Sequence, residues 1–311
     1  MDSVQYARIC RYVSETPWAI QPEVMSVLQG VLRERAGGHR PTAEEVRERI
    51  AAQDGDRSGV GRVRSGNVAV LPIHGAIMRR ADMLQEISGA VSLERMEARL
   101  DEALSDTNVS DIVLHVDSPG GAVDGVPEFA ARVRAARGGD KRIVAVADTL
   151  AASAAYWIAT AADEVTVTPS GEVGSIGVFA AHQDLSGALE QAGVDVTLIS
   201  AGPYKIEGNP FEPLSEEARS AIQNRIDDYY SMFIEDVAAG RGVSTEAVRS
   251  GFGQGRVVGA RDALSEGMVD RVETFGDTLA RLRNTAQAGN DNRQSRRGRR
   301  GATARRRFAF A

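Results

Sequence analysis

The sequence predicts an α/β domain built on a largely parallel, buried sheet, preceded by a helical arm and followed by a disordered basic tail. Three observations predict it. From residue 67 onward, apolar runs of strand length alternate with segments of helical periodicity. The run Ile112-Val113-Leu114-His115-Val116 is apolar almost throughout, as expected of a strand covered on both faces. A Ser118-Pro119-Gly120-Gly121 turn follows that run directly, at the edge where parallel α/β sheets bind ligands.

Residues 1–62 form a first region. Pro17-Trp18-Ala19-Ile20-Gln21-Pro22 is an extended, proline-punctuated stretch, and Pro22-Glu23 opens a helix with Val24, Val27, Leu28, Val31 and Leu32 on one face. A charged helix is expected over 40–52, and the Gly-, Asp- and Arg-rich stretch 53–66 predicts a linker. The main domain, 63–284, starts with a strand at 67–73 and a helix capped by Ser92 that carries Leu93, Met96, Leu100 and Leu104. The pattern then predicts a strand at 111–116, a helix at 126–137, a strand at 142–147 and a short helix from Ser153 to Thr160. Strands at 164–168 and 177–180, a helix at 185–191 and a strand at 194–199 follow. A long helix over 214–239, then short helices and a strand, complete the domain.

The chain has 311 residues and a single cysteine, Cys10, so no intrachain disulfide holds the fold and a reducing compartment is expected. Cys10 itself has the surroundings of a plain buried thiol. The first 17 residues contain Asp2, Arg8, Arg11 and Glu15, which break up any secretory core. No window approaches the length of a membrane span, so a soluble, cytoplasmic protein is expected. Net charge is −6, yet eight arginines fall between Arg293 and Arg307 with no acidic residue among them. This tail, 285–311, lacks the apolar content to fold alone; it is either a handle for nucleic acid or an acidic protein surface, or simply a solvated end. No metal or cofactor is expected. No His/Cys/Asp/Glu cluster has ligand spacing, Asp117 and Asp124 belong to the glycine turn, and the glycine pair lacks the lysine and hydroxyl residue of a phosphate loop.

The chemistry is concentrated in four segments. Ser153 lies in Ala151-Ala152-Ser153-Ala154-Ala155-Tyr156, where flanking alanines leave its hydroxyl unobstructed and the Ala154 N–H lacks an intrahelical partner. Read alone, it is better taken as a serine N-cap. Lys205, in Gly202-Pro203-Tyr204-Lys205, is bracketed by apolar and proline residues. It could serve as a neutral base if burial lowers its pKa, and is otherwise an exposed loop lysine. Gly120 and Gly121 can turn a backbone N–H toward a substrate carbonyl, or simply make a tight turn. The stretch Gly171 to Val178, Gly-Glu-Val-Gly-Ser-Ile-Gly-Val, could line an extended substrate, or be a turn entering a strand. Together they offer a nucleophile, a base and oxyanion donors, the parts of a serine peptidase with a Ser/Lys dyad.

In their order, four of these segments resemble the S49 peptidases, the family of signal peptide peptidase A and the phage capsid-maturation head proteases. They are Asp117-Ser118-Pro119-Gly120-Gly121, Ala152-Ser153-Ala154-Ala155-Tyr156, Gly174-Ser175-Ile176-Gly177-Val178 and Gly202-Pro203-Tyr204-Lys205, with Gly255-Arg256-Val257 beyond. The resemblance spans roughly residues 67 to 280 and implies a fold similar to Clp protease and crotonase. It also implies Ser153 as nucleophile, Lys205 as base, and the Gly121 and Ala154 N–H groups as the oxyanion hole. Gly120, Ser175, Ile176, Gly177 and Val178 would line the substrate. The chain departs from many relatives in having Ala154-Ala155 where they have two glycines, which narrows the pocket. The absence of a signal anchor, and the arm around Trp18, resemble the phage and prophage head proteases. That branch implies polypeptide substrates such as scaffold, capsid or portal proteins, a homo-oligomer, and action in the host cytoplasm or inside the prohead.

Rival readings remain at this point. His182 is the histidine spaced to serve as base in a Ser/His/Asp arrangement. An acyl-CoA enzyme of the crotonase type would use the same fold without the dyad. A soluble signal-peptide-peptidase-like protease, or a non-catalytic capsid assembly factor, would also share these segments.

Overall fold

A computed structural model of the chain describes residues 16–36, 45, 63–80 and 90–285. Cys10, His39, most of the charged helix expected over 40–52 and the arginine-rich tail lie outside the described residues.

The main sheet contains eight strands: β2 (Val63–Ser65), β3 (Val68–His74), β6 (Asp111–Ser118), β8 (Arg142–Ala152), β9 (Glu164–Val167), β10 (Glu172–Gly174), β11 (Val257–Gly259) and β12 (Arg271–Val272). Their spatial order is β11-β10-β8-β6-β3-β2, with β9 beside β8 and β12 beside β9. Every pairing is parallel except β2 with β3 and β11 with β10. The α/β class and the largely parallel sheet predicted from sequence are both present. Strand β8 has two neighbours on one side: Val144 to Ala147 pair with β9, and Leu150 to Ala152 pair with β10. Between the two stretches Thr149 takes φ +88°, which turns the chain from one partner to the next.

The helices form where the apolar period and the caps agree. Helices α1 (Pro22–Ala36), α2 (Leu93–Ser105), α3 (Val126–Ala136) and α4 (Ala154–Ala159) precede α5 (Ser186–Gln191) and α6 (Glu216–Arg241). Helices α7 (Thr245–Ser250) and α8 (Ala260–Ser265) and a helical segment at 275–285 follow. Ser92 caps α2 by accepting from the Arg95 N–H at 3.4 Å, and Ser215 caps α6 through the Ala218 N–H at 3.1 Å. Leu93, Met96 and Leu100 pack with Phe129, Ile112 and Leu114 in the main core. The other face of the sheet, Val68, Val70, Val113, Val144 and Val146, is covered by Leu279 and Leu282 of the last helix.

A smaller sheet, in the order β1-β7-β4-β5, joins β1 (Trp18–Ile20), β4 (Ile77–Met78), β5 (Val91–Ser92) and β7 (Gly120–Ala122). The centre of the extended Pro17 to Pro22 stretch, Trp18–Ile20, thus becomes a sheet strand, fully buried.

Three expectations need correction. The end of the expected linker is strand β2, whose Val63 pairs with Val70. The strand expected at 177–180 reduces to a bridge between Phe179 and Trp18, and the regular strand forms earlier, at Glu172–Gly174, beside β8. Residues 194–199 form no strand. Their alternating Val194, Val196 and Leu198 find no sheet edge among the described residues and stand exposed, with Ile199 94% exposed.

Candidate active site

Ser153 occupies a sharp elbow between the end of β8 and the start of α4. Its backbone adopts φ +54°, ψ −120°, a region that side chains avoid, and its N–H donates to the Gly174 carbonyl at 2.7 Å. The serine does not cap its helix: its side chain makes no capping hydrogen bond. The hydroxyl instead donates toward the Gly177 carbonyl at 3.4 Å, its one hydrogen-bond partner among the described residues, and the residue is only 1% exposed. Of the two readings open to this serine in sequence, the geometry removes the cap.

What holds the elbow is the helix behind it. Trp157 stacks on Phe233 at 4.5 Å between ring centroids and donates its indole N–H to Asp236 at 2.7 Å; Arg134 of α3 donates to the same carboxylate at 2.7 Å. The buried Tyr156 hydroxyl donates to the Met268 carbonyl at 2.8 Å, and burial pushes its phenol pKa well up. Gly240 lets α6 approach closely, since a Cβ there would lie 2.2 Å from the Thr160 carbonyl oxygen. Nearby, burial alone would raise the Asp270 pKa. Arg241 donates to Asp270 through both terminal nitrogens, at 2.8 and 2.9 Å, and the Val165 N–H donates at 2.8 Å; together they bring it below the ordinary carboxylate value.

The glycine turn lies against Ser153. A Cβ at Gly120 would lie 3.0 Å from the Ser153 Cβ, and Gly120 has φ +99°. Gly121 is glycine for a different reason: a Cβ there would sit 1.9 Å from the Ile77 carbonyl oxygen of the adjoining strand. Ala154 opens α4, which leaves its N–H without an intrahelical acceptor beside Ser153. Of the segment expected to line a substrate, Ile176 is buried in the main core, whereas Ser175, Gly177 and Val178 are half-buried. Ser175 also has positive φ, and its N–H donates to the Arg256 carbonyl at 2.8 Å, which places Gly255-Arg256-Val257 behind this wall.

Lys205 is not brought to the serine. It is exposed, in a turn whose local bond runs from its own N–H to the Gly202 carbonyl. His182 faces the Asn209 carbonyl at 3.1 Å, while His115 contacts Asp148 at 2.8 Å and His74 at 3.2 Å. Among the described residues no basic side chain hydrogen-bonds Ser153. Sequence reasoning missed the part played by residues 17–21, which lie directly over the site; the two prolines showed an extended strand but not its neighbours.

A serine at a strand-to-helix elbow, with free N–H groups at the helix start and a glycine edge opposite, is the arrangement on which α/β hydrolases mount a nucleophile. The profile of Peptidase family S49 matches residues 135–289. Capsid assembly protease C of Escherichia phage lambda is 34% identical over 264 residues, covering 83% of this chain and 58% of that protein. Head-tail preconnector protein GP5 of Enterobacteria phage P21 is 35% identical over 221 residues, 71% of this chain and 43% of its own length. The putative protease slr0021 of Synechocystis is 31% identical over 194 residues, 62% of this chain and 69% of its own. The chain belongs to peptidase family S49. It spans 58% and 43% of the two phage relatives.

Proposed function

We propose that this chain is a serine endopeptidase in which Ser153 is the nucleophile, Lys205 the general base, and the Gly121 and Ala154 N–H groups the oxyanion donors. The observation that carries the reading is the Ser153 elbow: a buried hydroxyl held at positive φ, turned away from the helix it precedes. Such strain persists where the surrounding structure over-determines it, which is characteristic of reactive sites. In the proposed reaction Ser153 Oγ attacks the scissile carbonyl as Lys205 Nζ takes its proton. The two N–H groups bind the oxyanion, and the lysine returns the proton to the leaving amine. Water then hydrolyses the acyl-enzyme by the same route.

The base comes from a second copy of the chain. Lys205 is exposed in a single copy, and the sequence leading up to it carries exposed Val194, Val196, Leu198, Ile199 and Tyr204. A neighbour that covers this apolar segment would both place the amine at a serine and strip it of water, which a neutral lysine requires.

The biological reading is a phage or prophage capsid-assembly protease that cleaves scaffold and head proteins. It is supported by the relative named as a capsid assembly protease, whose match covers 83% of this chain against 62% for the Synechocystis protein. Among the described residues no helix is long and apolar enough to cross a membrane. The test is labelling by a fluorophosphonate together with co-expression beside a scaffold protein. Ser153→Ala should lose both the label and scaffold cleavage. Labelling that survives this substitution would overturn the assignment of the nucleophile.

A further inference from the structure

We propose that the cleft beside Ser153 is built to accept an extended peptide strand, and that this chain fills it with its own residues Trp18–Ile20. The inference rests on Ser153 being the nucleophile. Strand β1 is held on both edges. On one side it runs antiparallel to β7, with Trp18 opposite Ala122, Ala19 opposite Gly121 and Ile20 opposite Gly120. On the other, Trp18 and Phe179 exchange two backbone hydrogen bonds, at 2.8 and 2.9 Å.

The register brings Ala19 to the reactive group. Gln21 N–H donates to Pro119 and Val123 N–H to Pro17, at 3.0 and 3.1 Å; the alternation of an antiparallel ladder then makes Ala19 and Gly121 a hydrogen-bonded pair. The Ala19 carbonyl therefore sits on the N–H assigned to the oxyanion. That oxygen lies 2.2 Å, and the Ser153 Cβ 3.0 Å, from the point where a Gly120 side chain would begin. Glycine at 120 is what lets a strand carbonyl and the nucleophile share this space. The arm also explains why Ser153 is covered.

The side chains define what the cleft accepts. Trp18 and Ile20 point to one face, among Val24, Met25, Ala76 and Met78, while Ala19 points to the other, fully buried in the main core. A substrate strand taking this place would carry a small residue, alanine or glycine, opposite Gly121, with apolar neighbours on either side. The strand is short and flanked by Pro17 and Pro22, which cannot donate to a ladder, so it can open without unfolding the sheet beneath it.

The test uses the full chain and a peptide boronate ending in alanine, followed by hydrogen exchange at single residues and by mass spectrometry of the serine adduct. With the boronate on Ser153, exchange at the Trp18 amide should rise by about tenfold or more, while the Phe179 amide stays slow because the ligand strand replaces the arm. In parallel, Ala19→Pro, which cannot donate to the ladder, should accelerate adduct formation by about tenfold or more. An adduct on Ser153 with Trp18 still protected would show that the arm is a fixed wall and overturn the inference alone. Absence of any Ser153 adduct in both the wild type and folded Ala19→Pro would overturn the nucleophile assignment, and the inference with it.

Discussion

Replacing Ser153 by glycine should remove the proposed nucleophile and make the protein more stable. The residue is held at φ +54°, ψ −120°, where an L side chain costs about 1–3 kcal/mol. Glycine relieves that strain but adds freedom to the unfolded chain, an opposing cost of about 0.5–1 kcal/mol. The hydroxyl offsets little, because its contact with the Gly177 carbonyl is 3.4 Å, at the long limit of a hydrogen bond. The net gain is about 1 kcal/mol, or roughly 2–4 °C in Tm for a domain of this size. Ser153→Ala is the control: it removes the same hydroxyl but keeps the Cβ, and so keeps the strain. Thermal unfolding of the wild type and both variants should therefore rank the glycine variant highest, with both variants unable to form an acyl-enzyme. A glycine variant no more stable than the alanine variant would refute the claim that strain is stored at the elbow.

Three further outcomes follow from the packing around the site. Gly121→Ala should destabilise the chain by about 2 kcal/mol or more, since the new Cβ meets the Ile77 carbonyl oxygen at 1.9 Å; chemical denaturation measures this. Asp270→Asn should cost about 1–2 kcal/mol near pH 7, a figure held down by the solvent that reaches the carboxylate. Because the folded-state pKa of Asp270 is depressed, its contribution is present above the ordinary carboxylate pKa and is lost as pH falls through the lowered value. The Tm gap between wild type and variant should therefore close below about pH 4. Tyr156→Phe should cost about 1–3 kcal/mol by leaving the buried Met268 carbonyl without its donor, read out by the same denaturation.

Much of the domain was legible because local and global signals agree. Ser92 caps the helix it was expected to cap, and the apolar run from Ile112 became the strand at the centre of the sheet, because burial on both faces leaves little choice of structure. Ser153 was legible by position but not by conformation; nothing in Ala-Ala-Ser-Ala-Ala distinguishes a cap from an elbow until β8 and β10 fix the backbone on either side. The segment around Lys205 was the least legible. The alternation of Val194, Val196 and Leu198 is a genuine strand signal, but pairing needs an edge, and the described residues of a single copy offer it none. The same gap leaves Lys205 in water. Residues 17–21 were read correctly as extended, while their place over Ser153 depends on long-range pairing with Gly120–Ala122 that no local pattern encodes.

The most direct test of the proposed dyad is to mix two inactive variants, Ser153→Ala and Lys205→Ala, after dissociating and reassembling them together. If each site takes its serine from one copy and its lysine from the next, random mixing restores about a quarter of wild-type peptidase activity, although each variant alone is inactive. A mixture that remains inactive, alongside a wild-type monomer that retains full activity, would contradict a site shared between copies.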